Sequence, residues 1–224
     1  MTTTAQMILE AAYARSTAND PGKLATDNEL LGRLTRSYQG LWALAARQRP
    51  DEFATIQAIQ FLGATVAFVL PTDLIEVRRL QNAGGATVHL IPAAEITRLW
   101  HIPPCVYRTG GTLYSRGKTG DPVAGDILTA WLLLAGAVLN TLSSVLDPAF
   151  PTRHVEILIN DLALYLDAKD DGRDPEGFRK LAADQSMKLA AFAQEFNLDA
   201  SALEFVHAPS TRVPAQSAEP QPAG

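Results

Sequence analysis

Apolar residues recur along this chain in two rhythms, and the architecture changes where the rhythm does. Over 26–50, TDNELLGRLTRSYQGLWALAARQRP, the positions Leu30, Leu31, Leu34, Tyr38, Leu41, Trp42 and Ala45 follow the three- and four-residue steps of one helical face. Arg33, Arg36, Gln39 and Arg47 fall mainly elsewhere. Thr26 and Glu29 have capping-box spacing, and Pro50 closes the helix. A shorter helix is predicted over 4–16, with Ile8, Leu9, Ala12 and Tyr13 on one side, followed by an Asn-Asp-Pro-Gly turn. A third helix begins after Pro148 and Pro151, which bar helical torsions in the residues before them. From Thr152 or Arg153 to Ala168, Val155, Leu158, Ile159, Leu162 and Leu166 share one face, and Ile157 and Leu164 lie on a second. A helix apolar on two faces is central to a bundle, or is covered on one side by another subunit. The last helix, 174–196, has Asp174 as N-cap, Pro175 in the first position, and a stripe of Phe178, Leu181, Ala182, Leu189, Phe192, Ala193 and Phe196. Leu34, Leu41, Trp42, Leu158, Leu162 and Phe192 are the predicted bundle core.

From residue 51 the rhythm shortens. FATIQAIQF reads as helix or strand, whereas VAFVLP, LIEVRRLQ and TVHLIP are short, β-branched and bounded by turn residues, so strands are expected. Asn82-Ala83-Gly84-Gly85 suits a hairpin turn between the last two. Pro92 starts a short helix, PAAEITRLW, and a second hairpin is expected around Thr109-Gly110-Gly111-Thr112. The run ILTAWLLLAGAVL reads as a buried strand entering a polar loop. The expected fold is therefore α+β: a helical bundle with an inserted antiparallel β region and a flexible C-terminal tail. Its segments are the N-terminal bundle helices (1–50), the β-rich insertion with one short helix (51–146), the C-terminal bundle helices (147–197) and an extended tail (198–224).

A chain of 224 residues with 47% hydrophobic and 19% charged residues can bury a real core. The net charge of -5, without a basic stripe, argues against a general nucleic-acid binder. Residues 127–146 carry no charge and match a spanning helix in length. Thr129, Asn140, Thr141, Ser143 and Ser144 dilute the run, and no Lys or Arg flanks it closely, so a buried strand is favoured over a membrane span. The first residues show no basic stretch followed by an apolar run, so no signal peptide is expected.

The candidate chemistry is sparse. Cys105 is the single cysteine, which excludes an intrachain disulfide and thiolate pairs for zinc; an intracellular assembly site fits. Between Pro104 and Val106 it reads as a half-buried strand residue with no local base. His89, His101, His154 and His207 share no ligand spacing, so no metal is expected. Gly117-Lys118-Thr119 lacks the earlier glycine and the following helix of a P-loop. Asp167, Asp170, Asp171 and Asp174 lack calcium-loop spacing and read as an exposed turn with a cap. Trp42, Trp100 and Trp131 are most simply core. No catalytic residue, metal or cofactor is expected, and the chain does not read as an enzyme.

The succession of elements resembles the head-to-tail adaptor (connector) proteins of tailed bacteriophages and related gene-transfer particles. The resemblance spans most of 4–196. It rests on the Trp-containing helix TDNELLGRLTRSYQGLWALAARQRP, on FVLPTDLIEVRRLQ, on PAAEITRLW followed by PPCVYRTGGTLY, and on the proline-led helix LDPAFPTRHVEILINDLALYLDAK with a final helix and loose tail. It implies a structural virion protein of the neck, assembled in the host bacterial cytoplasm as a ring, generally of twelve copies, under the portal. Its implied partners are its own copies, the portal, a tail or stopper protein, and double-stranded DNA passing without sequence-specific binding; no membrane is implied. Portal docking by the tail is carried over onto Leu203, Glu204, Phe205, Val206 and Arg212. A small-molecule-binding α+β regulator, with a pocket in the β region, is the alternative.

Overall fold

Three of the helices start at a side-chain cap. The computed structural model describes residues 2–63, 65–96, 104–170 and 174–203. At the head of α1 (Ala5–Arg15), Thr4 Oγ1 accepts from Met7 N. A single turn, α2 (Pro21–Leu24), precedes α3 (Asp27–Gln48), where Thr26 Oγ1 accepts from Glu29 N. Another single turn, α4 (Pro50–Phe53), runs directly into the first strand. α5 (Val155–Lys169) has no side-chain cap and is led in by a 3-10 turn at Thr152–His154. Asp174 caps α6 (Pro175–Glu195), accepting from Glu176 and Gly177 N–H.

α5 is the axis of the bundle, packed by α1, α3 and α6 of the same chain. Ile157, Leu158, Ile159, Leu162, Ala163 and Leu166 are all buried, so both of its apolar faces are covered from within. Each fully buried Leu or Ile contributes about 1.5–3 kcal/mol. An exposed pair such as Lys180–Glu176, three-quarters exposed on both sides, contributes about 0.5 kcal/mol or less. The apolar core therefore dominates. Leu34, Leu41, Trp42, Leu158, Leu162 and Phe192 all lie in it, each at most 2% exposed.

The β region is made of two small sheets. One has the order β1 (Ala54–Gln60), β7 (Ile127–Leu134), β3 (Leu74–Gln81), wholly antiparallel. The other has the order β2 (Ala67–Val69), β6 (Thr112–Ser115), β5 (Cys105–Thr109), β4 (His89–Pro92). Ile59, Val77, Leu80, Leu128, Ala130 and Leu132 of the first pack with Val106 and Leu113 of the second in a core of their own. The region is not wholly antiparallel as expected: β4 pairs parallel with β5. The 82–86 turn does form, with Asn82 N donating to Ala86 O and Val88 N to Leu80 O. The chain then leaves β3 after one bridge, Gln81 to Thr87, because burying Val88 and Ile91 takes it to the other sheet. Within the ambiguous segment 53–61, residues 54–60 form strand β1 and Phe53 ends α4. Of the short helix expected after Pro92, a 3-10 turn at Ala93–Glu95 is seen, and residues 97–103, with Trp100 and His101, lie outside the described residues.

The apolar strand after residue 127 ends at Leu134, short of its expected length. Residues 135–146 instead form a strap along the bundle, outside any strand. Three residues of α3 at helical spacing clip it: Trp42 Nε1 donates to Leu134 O (3.0 Å), Gln39 Nε2 to Gly136 O (2.9 Å), and Thr35 exchanges hydrogen bonds with Leu139. Gly136 passes close to α3 there. A Cβ on it would meet Trp42 Cγ at 3.0 Å and Tyr38 Cε1 at 3.2 Å. Farther on, Ser144 O and Leu142 O accept from Ala5 N and Gln6 N, two of the N–H groups that the first turn of α1 leaves without intrahelical partners. Tyr38 Oη then accepts from Asp147 N (3.1 Å). Among the described residues no helix is long and apolar enough to cross a membrane.

Candidate functional site

The candidate catalytic groups are occupied with holding the fold. Cys105 is buried, and burial pushes its thiol above the ordinary range, the reverse of what a nucleophile needs. Its backbone N–H donates to Asp121 Oδ1 (2.8 Å). Asp121 also accepts from Lys118 N (3.0 Å) and from Arg116 through Nε (2.9 Å) and Nη2 (3.1 Å). In the Gly117-Lys118-Thr119 loop, the Lys118 N–H that a phosphate would need is thus turned onto an internal carboxylate. The Arg116 and Asp121 side chains are at most 1% exposed, so the exposed loop is anchored on a buried ion pair.

His154 is buried against the rings of Phe192 and Phe196. Its Nε2 lies 2.9 Å from Glu195 Oε2, yet desolvation outweighs that carboxylate and holds its pKa below the ordinary value. Glu195 is pushed down to about 2, chiefly by its hydrogen bond from Arg153. Among the described residues no three His, Cys, Asp or Glu side chains are grouped as a metal site requires.

The acidic turn is only partly the exposed cap expected from the sequence. Asp174 is the cap, and Asp171 lies outside the described residues. Asp167 is fully buried: it accepts from Ser16 Oγ, from Thr17 N and Oγ1, and from Ala18 N, tying the end of α1 to α5. Asp170 extends the seam, accepting from Asn19 N (2.8 Å). One turn and a half earlier, Asp161 takes a bidentate pair from Arg33 (2.6 and 3.0 Å) and a hydroxyl from Ser37 (2.7 Å). Arg33 also lies over the Tyr165 ring. These carboxylates were missed as structural residues because α5 reads as apolar; the available signal was an Asp seated between apolar stripe positions.

Of the residues assigned to portal docking, Leu203 is 3% exposed and belongs to the bundle core with Leu189 and Phe196. In this structure it is a core residue of the bundle. Glu204, Phe205, Val206 and Arg212 lie outside the described residues.

What the described surface presents instead is an apolar strip along the strap. Val138 is 63% exposed, Val145 42% and Leu142 36%, and Met7 of α1, in the turn that the strap caps, is 45% exposed. Beside it Leu31, Gly32 and Thr35 of α3 line a shallow groove with Val138 and Leu139. Along the strap these apolar side chains are interleaved with Asn140, Thr141, Ser143 and Ser144. The sequence signal was the charge-free run of 127–146, whose second half read as a polar loop. No family model matches the chain, and no curated protein matches it.

Proposed function

We propose that this chain is a head-to-tail adaptor, a structural virion protein that assembles as a ring beneath a portal and gives a tail or stopper protein its platform. Double-stranded DNA would pass through the ring without sequence-specific contacts. The observation that carries this reading is the arrangement of the elements on which the resemblance rests. A capped Trp-containing helix and a proline-led central helix, far apart in sequence, pack into one bundle with a two-sheet insertion between them. Two features support a structural role. The buried histidine and the clustered aspartates are used in internal contacts, and the exposed Val138, Leu142 and Val145 offer apolar side chains to a neighbouring protein. The ring, its twelve copies, its place in the virion neck and its portal and tail partners are parts of the proposal.

The regulator reading is less well supported. It needs a concave apolar site in the β region, where Ile59, Leu80, Leu113 and Leu128 fill the space between the sheets. The test is to mix the purified full chain with purified portal rings from the same particle and image the product by negative stain. A second ring layer stacked on the portal is the expected result. A chain that stays unbound to portal would overturn the proposal.

A further inference from the structure

We propose that β1 is a strand-addition site and that its occupant is β1 of a second copy of this chain, paired antiparallel about Gln57. The argument starts from the sheet edges. An unpaired edge is a template for another strand, and proteins blunt edges with charge, proline, bulges or short length. Three of the four edges here are blunted. β3 breaks register twice and carries Glu76, Arg78 and Arg79, and its end is covered by the 82–88 turn. β2 has three residues, and β4 ends at Pro92, which has no N–H to offer.

β1 has none of these protections. Its seven residues, ATIQAIQ, contain no charge, proline or glycine, and the register with β7 is unbroken from Ala54 to Gln60. Thr55, Ile56, Gln57 and Ala58 are exposed in succession. Among the described residues, the backbone hydrogen bonds of 55–60 are those of the β1–β7 ladder, so its outer row of N–H and C=O groups is unpaired.

Charge permits a second copy, and the register of the strand with itself favours it. Like charges placed directly opposite across a ladder destabilise it, and an uncharged strand meeting its own copy creates no such pair. Antiparallel pairing about Gln57 also matches size. Ile56, 63% exposed, lies opposite Ala58 of the second copy, Thr55 opposite Ile59, and the two Gln57 amides lie side by side. On the same outer face Ile56 is in register with Trp131, on which Arg79 stacks at 5.0 Å. Pairing would merge two three-stranded sheets into one of six strands, beyond the size at which a sheet is marginal. A two-fold contact does not propagate around a ring with a single rotation axis. The contact therefore belongs to the free protein and goes beyond the adaptor reading: it covers the edge before assembly.

The full chain is to be measured by sedimentation and by amide exchange. A particle of twice the chain mass is expected, with slow exchange across 55–59. Ala58→Lys, at an exposed position, is expected to give the single-chain mass with an unchanged melting curve and fast exchange across β1. Ile56→Arg is the second variant, for use if Ala58→Lys melts low. A parent chain that sediments as one copy at its highest soluble concentration overturns the proposal, as does a dimer that survives both substitutions. Portal stacking is scored separately: an Ala58→Lys chain that still stacks on the portal has lost only the dimer contact, whereas a parent dimer that never stacks refutes the adaptor reading alone.

Discussion

Asp161 and Asp167 show what a single polar side chain can do in an apolar helix. Each is almost fully buried on α5 and would be costly there alone, but each has its hydrogen bonds supplied by a different neighbour, α3 for one and the 16–18 segment for the other. Apolar packing tolerates some sliding between helices, whereas a bidentate Arg33–Asp161 pair has one geometry. Replacing Asp161 by Ala leaves the Arg33 guanidinium, 17% exposed, without its carboxylate. We expect a loss of about 3 kcal/mol or more by urea denaturation, and a much smaller loss for the double change Asp161→Leu with Arg33→Met. A single Asp161→Ala variant with the parent's denaturation midpoint would mean that the pair is idle. Gly136→Ala tests the strap. Its new methyl would meet Trp42 and Tyr38, both buried aromatics fixed in α3, so a destabilisation of about 1–3 kcal/mol is expected from overpacking.

At the scale of elements, the contact between the start of α5 and the end of α6 carries a pH dependence. Glu195 has a folded pKa of about 2, below its ordinary 4.5, so its contribution is complete above about 4.5 and is lost as the pH falls toward 2. His154 is also shifted below its ordinary 6.5, which for a base means that the unfolded chain binds the proton more readily. Its stabilising effect is complete above 6.5 and declines as the pH drops below that value. Both groups therefore act in one direction, and calorimetry should show the melting temperature falling on acidification, beginning below 6.5 and continuing below 4.5. Glu195→Gln should melt lower at neutral pH and lose the steeper fall at low pH. A parallel decline in the variant would assign the acid sensitivity elsewhere. Leu158, with no exposed surface at the centre of α5, provides the control for the bundle itself. Leu158→Asp should cost several kcal/mol and prevent cooperative folding, as read by circular dichroism.

For the whole molecule, the burial of Leu203 sets where the chain can be cut. Truncation after Leu203 should melt like the parent, whereas truncation after Asn197 removes Leu198 and Leu203 and should lose about 2–4 kcal/mol. If the shorter and longer products melt alike, Leu203 contributes nothing to the core. Under the adaptor reading, the Leu203 truncation should also fail to bind portal, which would assign docking to residues beyond it.

Short-range patterns were enough for the helices and for the order of elements. Thr4, Thr26 and Asp174 announce helix starts, stripes such as Leu34, Tyr38 and Leu41 announce buried faces, and both signals lie within a few residues of what they control. An α+β chain with helices at both ends and strands between follows from these alone. Pairing across distance was not legible in that way. Nothing local tells β4 to leave β3 for a parallel place beside β5, or Leu134 to end a strand so that Gly136 can cross Trp42. Nor does local pattern supply the partners of Asp161 and Asp167, which come from residues more than a hundred positions away. Periodicity reports which face of an element must be buried, and many partners can satisfy that need equally. The choice among them is made by shape, by hydrogen-bond satisfaction and by the charge left on each edge, and those exist only once the chain has folded.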